Sequence, residues 1–396
     1  MTAKLRQLDS TVQPPLAARV TSIPPSATVE MSERIRAAQA AGKEILPLAS
    51  GDPNLPTHPS IIEAAHRAML DGQTRYGPAA GLPVLREAIA ARLTRRSACA
   101  YSGSEVLLTP GGKFAVYAAL MATVAPGDEV IILDPSWVSY GPCVKLAGGT
   151  PVTVPALDRI PLERVAAAIT PRTRTIIVNS PVNPTGRVLP KDELERLVRL
   201  AEQHNLWLLF DQVYSDLCFD GGFPFLQAIE GARERTLVAD SLSKTFGMTG
   251  WRIGYLAAPE RVIKPVLKVI QHSVYCVPPF LQTAAITALG LSDSIVADNV
   301  RRFRARRDKV VTTVNRLPGF TCPAPPATFY VFPSVPGDDR AVAQEWLDKL
   351  SIAVLPGSSF GTAGAGHLRL SLACNDDVLA DALRRLCRHY GVPYAE

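Results

Sequence analysis

Seven short runs rich in β-branched and large apolar residues, at 105–109, 129–133, 151–154, 175–179, 207–211, 236–240 and 254–257, are separated by stretches with helical periodicity. This alternation constrains the fold more than any other feature. A strand followed by a helix returns beside its neighbour through a crossover, and repeated crossovers build a mainly parallel sheet with helices on its faces. The expected fold class is therefore α/β, with a seven-stranded sheet. Beyond about residue 285 the pattern changes to a long amphipathic helix at 298–317, strands at 329–332, 352–355 and 368–373, a helix near 340–350 and a final helix. That reads as a smaller α+β domain. Residues 1 to about 30, with Pro14-Pro15 and Pro24-Pro25, read as an irregular arm ahead of a helix near 29–41, and such arms often cross to a partner subunit. The expected division is an arm and helix at 1–45 that join the small domain, a large ligand-binding domain at 46–290, and the small domain at 291–396.

Composition narrows the function classes. The 396 residues are 47% hydrophobic and 20% charged, which is ordinary for a globular chain with a large core. The longest apolar stretches have strand length, far short of the roughly 20 residues that span a bilayer, so no membrane partner is expected. No basic segment leads into an apolar core and cleavage site near the N-terminus, which makes the cytoplasm the expected compartment. Seven scattered cysteines, none in a C-x-x-C pattern, read as free thiols, and no metal site is expected. The net charge is +6, but the arginines are dispersed apart from the run 301–307. That run has helical spacing and reads as a solvated helix face, so no nucleic-acid partner is expected.

The chemistry centres on Lys244, within Ser241-Leu242-Ser243-Lys244-Thr245-Phe246-Gly247. Arg252 follows it closely enough to share one anion. A lysine with a lowered pKa forms Schiff bases with carbonyl compounds, and a phosphorylated carbonyl cofactor also needs a cradle for its phosphate. The segments Pro110-Gly111-Gly112-Lys113 and Asn179-Ser180-Pro181, with Asp211 and Ser241, all follow or finish a predicted strand, where α/β sheets bind ligands. Gly111-Gly112 opens a predicted helix whose N-terminus favours an anion. Taken singly these signals are weak: N-P-x-G is a common turn, and a strand-terminal aspartate is often a helix cap.

Their order and spacing are more specific. Asn183-Pro184-Thr185-Gly186, then Asp211 with Tyr214, then the Lys244 run closing on Gly250-Trp251-Arg252-Ile253-Gly254 resemble the class I/II aminotransferases of pyridoxal phosphate (PLP) fold type I. The likeness runs nearly end to end through 49–53, 75–83, 109–113, 136–140 and 369–371, and is nearest to the bacterial aspartate/prephenate branch. It implies ping-pong transfer of an amino group from an L-amino acid to a 2-oxo acid through PLP, in a homodimer with shared active sites. Lys244 then carries the cofactor and moves a proton at the substrate Cα, Asp211 pairs with the ring nitrogen, and Asn183 and Tyr214 bond the phenolic oxygen. Trp137 stacks on the ring. Ser241, Arg252 and the amides of Gly112 and Lys113 hold the phosphate, joined by Tyr76 from the neighbouring subunit. Arg369 clasps the substrate α-carboxylate, a bidentate geometry that lysine does not reproduce. Gly51 lies beside that substrate, with Trp137 and Asn183, whereas Gly357 reads as a backbone turn.

For the substrate side chain, a lysine after Gly-Gly in that branch meets a second carboxylate, which makes Lys113 the specificity candidate and favours an acidic donor such as aspartate. Thr28 also fits the branch. Three positions depart from it: Pro24 stands where a lysine is common, Gln212 replaces the glutamate of D-E-x-Y, and Asp52 replaces the glutamate of G-E-P. Arg187 and Tyr140 are further candidates for the pocket border. The rival reading is another PLP enzyme of fold type I, a C–S lyase, a cyclopropane-type synthase or an oxidase. A regulator is disfavoured because the residues before Leu46 are too few and too proline-rich for a DNA-binding module, and a nicotinamide dehydrogenase because no G-x-G-x-x-G follows a strand.

Overall fold

The computed structural model describes residues 16–394. Its central sheet has seven strands: β2 (Val106–Thr109), β3 (Glu129–Asp134), β4 (Thr150–Pro155), β5 (Thr173–Asn179), β6 (Trp207–Asp211), β7 (Thr236–Ser241) and β8 (Gly254–Ala257), following a short β1 (Leu46–Pro47) outside it. Their order is β2-β8-β7-β6-β5-β3-β4, parallel except for β8, which runs against both neighbours. The expected sheet is thus present, each strand within two residues of its predicted start.

Both faces of the sheet are covered, which is why its strands read as continuous apolar runs rather than alternating ones. On one face Leu107, Ile132, Ile177, Leu209, Leu237 and Leu256 pack on residues of the helices Gly112–Thr123 and Glu260–Gln271. On the other, Ile176, Val178, Leu208 and Phe210 meet the helix Lys191–Gln203, while Val106, Leu108, Val238 and Ala257 meet Pro83–Ser97 and Pro279–Gly290. Because side-chain direction alternates along each strand, adjacent residues serve opposite cores.

A second core gathers Phe303, Tyr330, Trp346, Leu370 and Leu383 from the helices Ser292–Val314, Asp339–Leu350 and Asp376–His389 and from β9 (Tyr330–Val331) and β12 (Leu368–Ser371). Two expectations change here. The segment 352–355 is not one strand but β10 (Ile352–Ala353), which pairs with β1, and β11 (Leu355–Pro356), which pairs with β12. The arginine run is not a uniformly solvated face: Arg306 and Arg307 are buried, donating to the carbonyls of Leu372 and Pro325 and pairing with Asp376 and Asp220. Helical spacing alone does not reveal that two of its arginines bind the chain ends of neighbouring elements. The arm's Pro14-Pro15 lies outside the described residues, and the helix after it spans Ala27–Ala40.

Candidate active site

The carboxyl ends of β2, β5, β6 and β7 lie along one edge of the sheet, and this edge forms the floor of a cavity of about 500 Å³. Its walls include Gly51, Gly112, Lys113, Trp137, Asn183, Asp211, Tyr214, Ser241, Lys244, Arg252 and Arg369. The predicted site residues other than Tyr76 and Arg187 are therefore brought to one cavity. Tyr76 is elsewhere on the surface, 85% exposed and edge-on to Tyr275.

Asp211 ends β6 beside Asn179 of β5, whose side-chain amide donates to the Asp211 carbonyl. Burial lifts the Asp211 carboxyl to about 6, against hydrogen bonds from the Tyr140 hydroxyl (2.7 Å) and the Val213 amide (3.3 Å). A buried carboxylate with so little compensation suits a cationic partner. Tyr140 is thus a site residue, though the sequence placed it only at the pocket border; the signal lay in Ser136-Trp137-Val138-Ser139-Tyr140, where it packs edge-on to Trp137.

Lys244 sits in the short helix Leu242–Thr245, capped by Ser241, whose oxygen accepts from the Ser243 amide. Its ammonium donates to the Gly51 carbonyl at 2.6 Å. Burial lowers its pKa to about 8, with Arg369 and Arg252 adding to the effect, so a neutral, nucleophilic amine is accessible near neutral pH.

The amides of Gly112 and Lys113 open the helix Gly112–Thr123 and have no intrahelical acceptor. Gly111, at φ +81°, precedes them, and a Cβ there would stand 2.5 Å from Arg252 Nη2. Arg252 is itself held by the Thr249 carbonyl at 2.8 Å and the Pro110 carbonyl at 3.2 Å. A Cβ at Gly254 would lie 2.5 Å from the Gly112 nitrogen. Two free amides, a guanidinium and the Ser241 hydroxyl thus surround a hollow from which side chains are excluded, the donor set a phosphate requires.

Arg369 is buried between the rings of Tyr330 and Phe360, with its guanidinium carbon 4.3 and 4.8 Å from their centroids. It donates to the Asn183 side chain (3.1 Å) and the Ala49 carbonyl (2.8 Å), leaving Nε without a partner among the described residues. An orphaned donor on a buried cation facing a cavity fits a carboxylate ligand. Neither flanking ring was singled out from sequence, although Tyr330 and Phe329 form an aromatic run there. Tyr214 bonds Tyr330 hydroxyl to hydroxyl at 3.1 Å. Arg187 leaves the cavity altogether and pairs with Glu193, and Gly357 is packed with its Cβ position 2.2 Å from the Gly364 carbonyl, a structural glycine.

The sequence model of the family "Aminotransferase class I and II" matches residues 43–386. The chain belongs to the class I and II aminotransferases. It is therefore a PLP-dependent enzyme that transfers the amino group of an amino acid to a 2-oxo acid. It is 39% identical to the aspartate/prephenate aminotransferase of Thermus thermophilus over 387 residues, covering 95% of this chain and 99% of the relative. Its identity to the aspartate/prephenate aminotransferase of Cereibacter sphaeroides is 38%, with 92% and 96% covered. Among solved structures it is similar to the Thermus thermophilus aspartate aminotransferase with maleate, at 38% identity and TM-score 0.90, over 95% of this chain and all of that one. The rival of a lyase, synthase or oxidase is not favoured by these relatives. Among the described residues no single helix is long and apolar enough to cross a membrane.

Proposed function

We propose that this aminotransferase takes acidic amino acids as donors, aspartate first, and 2-oxoglutarate or a similar dicarboxylic oxo acid as acceptor. One observation carries the reading: a single cavity holds Arg369, with its free Nε, and Lys113, which joins no carboxylate among the described residues and sits 5.2 Å over the Trp137 ring. Two cations suit two carboxylates. The maleate of the Thermus structure, itself a dicarboxylate, supports the same reading.

Bound PLP supplies an aldehyde that takes up an amine and a ring that delocalises the electron pair left at Cα when its proton departs. The residues around it divide the remaining work. Lys244, whose pKa burial lowers to about 8, would accept the Cα proton and return it. Asp211, which accepts from the Tyr140 hydroxyl, would pair with the ring nitrogen and favour a positive charge there. Asn183 and Tyr214 would bond the phenolic oxygen, Trp137 would cover the ring, and Ser241, Arg252 and the amides of Gly112 and Lys113 would hold the phosphate. Arg369 would fix the α-carboxylate, and Gly51, whose carbonyl accepts from the Lys244 ammonium, would leave space for the substrate.

The same reading includes a homodimer whose sites are completed by Tyr76 of the neighbouring copy, supported by that residue's exposure beside Tyr275. It includes a cytoplasmic setting, in keeping with seven free cysteines. It also includes the division into a large domain at 46–290 and a small one at 291–396 with 1–45 attached to it, for which the packing of Ile35 with Ala353, Leu355 and Phe360 is the support, although the pairing of β1 with β10 carries that attachment on to Pro47. The test is a panel of donors mixed with the PLP form and followed by the spectral change of the half-reaction. Aspartate should give the highest kcat/KM among aspartate, alanine, phenylalanine and lysine; a neutral, aromatic or basic donor in first place would overturn the proposal.

A further inference from the structure

The helix Ala27–Ala40 closes one side of the cavity, and Thr28, Ser32 and Arg36 from it all line that side. Their spacing of four residues puts them on one face of the helix. Arg36 is exposed and makes no hydrogen bond or ion pair among the described residues.

A charge balance shows what it lacks. The cavity is lined by five basic side chains, Arg36, Lys113, Lys244, Arg252 and Arg369, against two carboxylates, Asp52 and Asp211. Arg252 is engaged by the cofactor phosphate, Arg369 by the substrate α-carboxylate and Lys244 by the chemistry. Asp52 accepts from the Thr249 hydroxyl at 2.7 Å, and its charge acts on Lys244. Lys113 and Arg36 remain, on different elements that face the same space.

We propose that Arg36 is a specificity-determining residue, which with Lys113 binds the distal carboxylate of dicarboxylic substrates. This rests on the acidic-substrate reading above and assigns half of its recognition to the helix Ala27–Ala40. A guanidinium offers two parallel donors where an ammonium offers a point charge, so Arg36 also selects for a planar anion over a polar neutral group. As an exposed group it contributes at the low end for charge-assisted bonds, about tenfold in affinity.

The experiment compares wild type, Arg36→Ala, Arg36→Lys and Lys113→Ala in the half-reaction with aspartate, glutamate and alanine. The ratio of kcat/KM for each acidic donor to that for alanine should fall about tenfold in Arg36→Ala, chiefly through KM, and recover in part in Arg36→Lys. The wild-type ratio should also decline with added salt. If wild type and Lys113→Ala show the acidic preference and its loss while Arg36→Ala keeps the wild-type ratio, Arg36 has no such role and the acidic reading stands. If wild type itself has no preference for acidic donors, both are overturned together.

Discussion

Asp211 shows how one residue can trade stability for function. Burial holds its carboxyl at about 6, above the ordinary 3.8, so the protein without cofactor binds this proton more tightly when folded than when unfolded. The stabilisation is complete below about pH 3.8 and is lost as pH rises through about 6, which leaves an uncompensated buried carboxylate at neutral pH. Asp211→Asn, neutral and of the same shape, should therefore raise the Tm of the cofactor-free protein at pH 8, with the difference shrinking at pH 5, and should abolish transamination. Calorimetry at the two pH values checks the first claim; an unchanged Tm difference across them would remove the buried-charge explanation. Among residues, those carrying covalent or ionic chemistry were legible in the sequence because their types and order are demanded by the cofactor. Tyr330 and Phe360 were not, and Tyr140 was placed only at the pocket border, because an aromatic ring that orients a functional group and one that fills a core have the same sequence signature.

At the scale of elements, the short helix Leu242–Thr245 has too few turns to hold itself in place and is fastened from outside. The Thr245 hydroxyl donates to Asp216 at 2.8 Å, the Thr245 carbonyl accepts from Asn299, and Asp216 is paired with Arg92 and Arg96 from the helix Pro83–Ser97. Burial opposes the Asp216 charge, yet Arg96 and Arg92 hold its carboxyl below the usual range. Asp216→Ala would leave both arginines with little compensation and release Thr245. A loss of about 3 kcal/mol is expected, read as a lower urea midpoint of the holoenzyme. A midpoint equal to wild type would show that the helix is secured without this pair. Element existence was readable from periodicity. The split of 352–355 into two strands was not, since four residues between two partners carry no internal mark of where the pairing changes.

At the scale of the whole molecule, the cavity is assembled from segments spread from Thr28 to Arg369, and the proposed completion by a second copy has a direct test. A chain with Lys244→Ala is inactive in either arrangement. Mixed with a Tyr76→Ala chain and allowed to exchange subunits, it should yield heterodimers in which one site combines an intact Lys244 with an intact Tyr76 and activity rises above that of either parent. No gain on mixing, with exchange verified by mass, would show that Tyr76 serves no neighbouring site.

The sequence by itself determined the fold class and the family, and it offered the residues proposed to hold PLP. Strand and helix periods are local properties, and a covalent cofactor demands particular side chains in a particular order. Tertiary structure decided the rest: which carboxylate is buried enough to need a cation, which tyrosine orients it, which arginine keeps a free donor, and that the helix Ala27–Ala40 brings Arg36 to the same cavity as Lys113. Those are matters of burial and of approach between distant segments, and they take effect only when desolvation and packing bring those segments together.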